Sequence, residues 1–80
     1  MHNVYEIASS MRVLIILHNL CAINERNAKR IEELKPICCM SEEELNFAIK
    51  ELLIHGYICE YNGAYYLNSL GSSVVRSIYT

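Results

Sequence analysis

Between Ser41 and Leu67 the chain leaves little choice of local structure. Ser41 is a helix-capping residue, and Glu44, three positions on, completes a capping box in which side chains and free backbone N–H groups satisfy each other. Leu45, Ala48, Ile49 and Leu52 then recur at helical spacing, which gives one apolar face. Gly56 can adopt the left-handed conformation that closes a helix. Residues 57–61 are rich in aromatic residues, Asn62-Gly63 is a strong two-residue hairpin turn, and Ala64 to Leu67 leads back. A helix over 41–55 followed by a hairpin is the expectation. Glu42, Glu43 and Glu44 fit its first turn, because carboxylates interact favourably with the positive end of a helix dipole, by roughly 0.3–1 kcal/mol each.

The flanking segments read less uniquely. Residues 3–20 predict a helix with two apolar stripes. Val4, Ile7, Ala8, Met11, Leu14 and Ile15 form one, and Val13, Ile16, Leu17 and Leu20 form another on roughly the opposite side. An 80-residue chain has few elements with which to cover both. Dimerisation through this helix is therefore expected, with Val4, Ile7, Met11, Leu14 and Ile15 at the interface and the last helix assisting. A central helix buried within one protomer is the alternative. Cys21-Ala22-Ile23 fits a brief strand. Asn24 or Asn27 can cap a second helix over 25–35, stopped by Pro36, with Ala28, Ile31 and Leu34 inward and Arg26, Lys29 and Arg30 together outside. A loop over 35–40 follows it. Residues 68–80 predict a last short helix carrying Leu70, Val74, Val75 and Ile78.

Eighty residues allow one domain, 1–80. Seven Lys and Arg stand against nine Glu and no Asp, so no strongly basic balance points to nucleic acid, and any DNA contact must use a local basic face. The longest apolar run, Val13 to Leu17, is too short to span a bilayer, and no cationic-apolar leader precedes it. An intracellular, cytoplasmic chain without a membrane role is expected. Cys21, Cys38, Cys39 and Cys59 form no C-x-x-C pair, and His2, His18 and His55 do not sit at zinc-finger spacing. The thiols read as reduced, small apolar residues, with a disulfide inside the domain or across a dimer as the alternative. No nucleophile–His–acid spacing and no Gly-rich phosphate loop is present, so neither enzyme chemistry, a metal nor a cofactor is expected. His18 reads as a packed residue. Tyr57, Tyr61, Tyr65 and Tyr66 read as strand packing with wet hydroxyls.

The expected fold is mainly α with a small β-hairpin, an α+β domain in the order α-β-α-α-β-β-α. That order resembles a winged helix-turn-helix over about residues 11–79. Asn27-Ala-Lys-Arg-Ile-Glu-Glu-Leu34 is similar to the first helix of the motif, and Ser41 through Ile58 to its recognition helix. Tyr65-Tyr-Leu-Asn-Ser-Leu-Gly71 resembles the strand and turn leading into the last helix of multiple-antibiotic-resistance-type and arsenical-resistance-type repressors, and of small regulators of archaea and archaeal viruses.

The resemblance implies a small transcriptional regulator that binds double-stranded DNA, with helix 41–55 in the major groove and the basic face of 25–35 on phosphates. Carried over, Asn46 pairs with adenine, Lys50 meets guanine or phosphate, and Phe47 touches a thymine methyl. Arg26, Lys29, Arg30 and Lys35 meet the backbone. The three glutamates and a hairpin tip without a cation depart from the usual pattern. They favour a second expectation, a protein-binding winged helix that does not bind DNA and uses Phe47 and Ile54.

Overall fold

The computed structural model describes the backbone of residues 4–79 and the side chains of residues 9–78. Its elements are α1 (Val4–Asn19), a 3-10 turn (Glu25–Asn27), β1 (Lys29–Arg30), α2 (Ile31–Cys38), α3 (Glu42–Ile54), β2 (Ile58–Tyr61), β3 (Ala64–Leu67) and α4 (Ser69–Tyr79). The fold is mainly helical with one small antiparallel sheet, in the strand order β1-β3-β2.

Helix α3 forms as the sequence dictates. Ser41 Oγ accepts from Glu44 N at 3.1 Å, and Leu45, Ala48, Ile49 and Leu52 are buried. Only half of the expected capping box exists, because the Glu44 carboxylate turns away and accepts from Ser9 Oγ of α1 at 2.6 Å. At the other end Gly56 takes φ +76°. Tyr57 N then donates to Leu52 O and Gly56 N to Leu53 O, which satisfies the last carbonyls. Asn62 (φ +51°) and Gly63 (φ +81°) make the left-handed turn that matches the twist of β2 and β3. Asn68 then starts α4, its Oδ1 accepting from Gly71 N at 2.9 Å while its Nδ2 donates to Gly56 O at 2.6 Å.

Helix α1 is the centre of the molecule. It packs against α2, α3, α4 and β3. Val13, Leu14 and Leu17 are fully buried, and Leu34, Leu45, Leu52, Leu67 and Val75 meet them from the surrounding elements. The chain therefore covers far more of α1 than its length suggested. Leu14, expected at a dimer interface, belongs to the protomer's own core and has no surface to offer a partner. Met11 and Ile15 are half-buried, and the side chains of Val4 and Ile7 lie outside the described residues.

Two expectations in the middle of the chain are corrected. Cys21-Ala22-Ile23 is not a strand. Cys21 sits at φ +59°, which breaks an extended run, and the segment's one bond to the sheet is Leu67 N to Ala22 O at 2.7 Å. The single helix expected over 25–35 is instead a turn, a strand and a later helix. Asn24 Oδ1 accepts from Asn27 N at 3.0 Å and holds the turn. Lys29 and Arg30 then pair with Tyr65 and Ala64. Only after that does α2 begin, with Glu33 Oε2 accepting from Arg30 N at 3.2 Å. Pro36 lies inside α2 rather than ending it. It forgoes one backbone bond, but Leu34 and Cys38 are buried on either side of it. Arg12 Nη2 of α1 also donates to Cys38 O at 2.6 Å, placing a cation at the negative end of the helix.

Candidate nucleic-acid interface

The outward face of α3 carries the side chains that its inward pattern leaves over. Asn46, Phe47, Lys50 and Ile54 are all exposed. Ile54 is 70% exposed and Phe47 47%, high values for large apolar groups. The acidic first turn is largely engaged within the fold. Glu42 pairs with Lys35 at 3.5 Å and Glu44 holds Ser9, which leaves Glu43 as the acid facing outward without a partner among the described residues. Lys35, expected on a phosphate, is thus shared with Glu42, although both side chains are well exposed and solvent screens the pair.

Arg26, Lys29 and Arg30 do not share a helix face as expected. Arg26 is in the 3-10 turn, while Lys29 and Arg30 form β1 at the edge of the sheet. The pairing of Arg30 with Ala64 brings its guanidinium to the hairpin turn. An ideal Cβ built on Gly63 would lie 3.1 Å from Arg30 Nη1. The hairpin tip, which has no cation of its own in sequence, therefore has one supplied by β1. Arg26 and Tyr61 line an open hollow of about 630 Å3 next to the same hairpin, together with Asn24, Glu25 and Asn27. Strand pairing, which local spacing does not reveal, sets Lys29 and Arg30 at the sheet edge on opposite faces of β1, with Arg26 in the turn before it. Nothing in the sequence around Lys29-Arg30 marks a strand. The one signal in the sequence is the fixed register of the Asn-Gly hairpin, which leaves the free edge of β3 open to a third segment.

Between α1 and α3 runs a groove of about 300 Å3, walled by Met11, Phe47, Leu52 and Tyr57, with Ser10, Glu51 and His55 alongside. His55 Nε2 lies 3.6 Å from Glu51 Oε1, and its ring stacks at a tilt on Tyr57, 5.7 Å between centroids. Phe47 thus belongs to this groove as well as to the outward face. Within the sheet, burial pushes the Tyr65 phenol above its ordinary range, and nearby Glu60 adds to the effect. Burial likewise raises the Cys38 thiol, partly opposed by Arg12 and helped by Cys39. All four cysteines are free thiols, with Cys21 and Cys39 exposed. Among the described residues no group of three or more His, Cys or Glu comes together to hold a metal ion, and no helix is long and apolar enough to cross a membrane.

No family model, no curated protein and no solved structure matches this chain.

Proposed function

We propose that the chain is a winged helix-turn-helix domain that binds double-stranded DNA and regulates transcription. The observation that carries this reading is the Arg30 guanidinium at the Asn62-Gly63 turn, brought there by the pairing of β1 with β3. It gives the hairpin the positive charge that a wing needs against a polyanion. The succession α2, α3, hairpin and the strand order β1-β3-β2 support the same reading. Helix α3 enters the major groove. Asn46 pairs with an adenine edge, Lys50 with guanine or a phosphate, and Phe47 with a thymine methyl. Arg26 contacts phosphate from the 3-10 turn and Lys29 and Arg30 from the sheet edge, rather than from α2, and Lys35 joins them by leaving Glu42. The acidic turn opposes DNA: Glu43 has no partner among the described residues, Glu44 keeps its charge on the Ser9 hydroxyl, and Glu42 is freed when Lys35 leaves it.

The test is fluorescence anisotropy with a labelled mixed-sequence duplex over a range of salt. Replacing Lys29 and Arg30 with Ala weakens binding on every sequence. It also makes the slope of log affinity against log salt shallower by about 0.9 for each phosphate no longer neutralised. Affinity and slope unchanged from the native protein reject the proposal. A second reading is a protein-binding winged helix without DNA affinity, favoured by the 70% exposure of Ile54 beside Phe47. It takes over if the native domain retards no DNA in a gel shift at low salt.

A further inference from the structure

The groove between α1 and α3 has a chemistry of its own. Its apolar lining is the buried Leu52, the Met11 thioether and the rings of Phe47 and Tyr57. At about 300 Å3 it stands at the small end of the range for ligand pockets, with room for a flat ring system and a short arm. It is also bounded. Beyond Phe47, the bond from Ser9 Oγ to Glu44 Oε2 ties α1 to α3, and at the other end the His55 ring stacks on Tyr57. These limits suit a small molecule better than a length of chain.

The polar part of the lining is one-sided. Glu51 supplies a half-buried carboxylate, and no Lys or Arg lines the groove among the described residues. Lys50 precedes Glu51 but stands about 100° around the helix. Arg12 follows Met11 but donates to Cys38 O of α2. Glu44, about two turns before Glu51 on the same face of α3, adds a second negative charge to the seam, since its Ser9 partner is a neutral hydroxyl. Among the described residues the one basic group at the groove is the His55 imidazole, whose Nε2 lies 3.6 Å from Glu51 Oε1.

We propose that this groove binds a small organic cation, a flat aromatic body carrying an amine, with its ring between Phe47 and Tyr57 and its ammonium group on Glu51. Two attractions act together there. Aromatic rings favour a flat apolar partner and draw a positive charge, and the carboxylate pairs with it. An anion of the same shape meets Glu51 and Glu44 instead. A neutral one covers part of the Glu51 carboxylate without compensating it. The binding stands whether or not α3 reads DNA.

NMR titration of the isotope-labelled protein, with no DNA present, tests this. The probes are tryptamine, a cation, and two analogues, neutral tryptophol and anionic indole-3-propionate. Phe47 is the chain's single phenylalanine, so its ring signals report the groove directly. At about pH 8, above the range in which imidazole titrates, tryptamine shifts the signals of Phe47, Tyr57 and Ser10. The shifts saturate with a dissociation constant of about 1 mM or lower, as suits so small a ligand. Tryptophol binds at least about threefold more weakly, and indole-3-propionate more weakly again. Glu51→Gln keeps the shape of the side chain but removes its charge, and abolishes the preference for tryptamine over tryptophol. Glu43→Gln lowers the net negative charge equally but lies outside the groove, and leaves the preference intact. Phe47→Ala weakens both probes at least about threefold. Neither Glu51 nor Phe47 belongs to the buried core, so circular dichroism shows these variants folded. Tryptamine shifts that fail to saturate by about 10 mM, or that fall outside the groove, overturn the proposal. So do equal affinities for the three probes, a Glu51→Gln protein that keeps the preference, a Glu43→Gln protein that loses it, or a Phe47→Ala protein that binds as the native one does.

Discussion

Gly71→Ala is the sharpest probe of how α4 is seated. In an exposed helix the change is stabilising, since Ala is favoured over Gly by about 0.8–1.0 kcal/mol. Here the new methyl has nowhere to go. Gly71 is buried, and an ideal Cβ would overlap the carbonyl oxygen of Tyr57 and come within 2.9 Å of Leu67 Cδ2. The Leu67 methyl can rotate. The Tyr57 carbonyl cannot, because it is backbone between α3 and β2 and accepts from Asn68 N at 3.3 Å. Relief requires α4 to lift, which strains the packing of Val75 and weakens the Asn68 bonds to Gly71 N and Gly56 O. Overpacking of this kind costs about 1–3 kcal/mol, and a loosened hydrogen bond about 1 kcal/mol more. The steric terms outweigh the propensity gain, leaving a net loss of about 1–3 kcal/mol. For a domain of this size that lowers the melting temperature by about 4–8 °C per kcal/mol. Urea denaturation followed by circular dichroism measures it. Gly56→Ala is the control: nothing lies within 4 Å of its Cβ, and its cost comes from φ +76° alone. A Gly71→Ala protein as stable as the native one would refute the close seating of α4 on Tyr57.

Two further outcomes follow from the α1–α2 junction. Arg12→Ala removes the guanidinium from Cys38 O and leaves the last turn of a proline-containing helix without its cap; urea denaturation should record a loss of about 1 kcal/mol, discounted for the exposure of Arg12. Cys38 sets an alkaline limit. Its folded thiol titrates above the ordinary value of 9.0 because it is buried, so the folded state keeps a proton that the unfolded chain gives up. Stability is therefore unaffected at neutral pH and declines as pH rises from the ordinary thiol value through the raised one. Cys38→Ala should flatten that decline in denaturation midpoints measured against pH, with a residual slope from Tyr65, whose phenol is shifted in the same direction. An unchanged alkaline slope would count against burial as the cause.

What is legible in the sequence is what local chemistry decides. Ser41, the four-residue apolar pattern and Gly56 hold α3 between narrow limits, and Asn62-Gly63 sets the hairpin and its register. The segment from Asn24 to Cys38 departs from its local signals because its structure is set at a distance. Lys29-Arg30 has no marked preference for strand, and it becomes β1 only because β3 presents an open edge. Pro36 is an ordinary helix stop, overridden here by the burial of Leu34 and Cys38 and by Arg12 reaching in from α1. The candidate site divides along the same line. The exposure of Asn46, Phe47 and Lys50 follows from the helical period of α3. The position of Arg30 at the hairpin depends on a tertiary register, and so do the roles of Glu42 and Glu44, whose partners are seven and 35 positions away. The double apolar pattern of α1 is plain in the sequence, but the pattern does not say what covers it. Here most of the cover comes from the helix's own chain, wrapped around it.

The shortness of β1 also guards against misassembly. A sheet margin with free backbone N–H and C=O groups invites strands from other molecules, and proteins resist this with brief, charged margins. On the β1 side the margin is two residues long, both cationic, and the chain turns at once into a helix, while β2 forms the other margin. A strand arriving at β1 would find almost no ladder to extend and two like charges beside it. Substituting Lys29 and Arg30 with valine or isoleucine would remove that protection, inviting sheet-to-sheet aggregation.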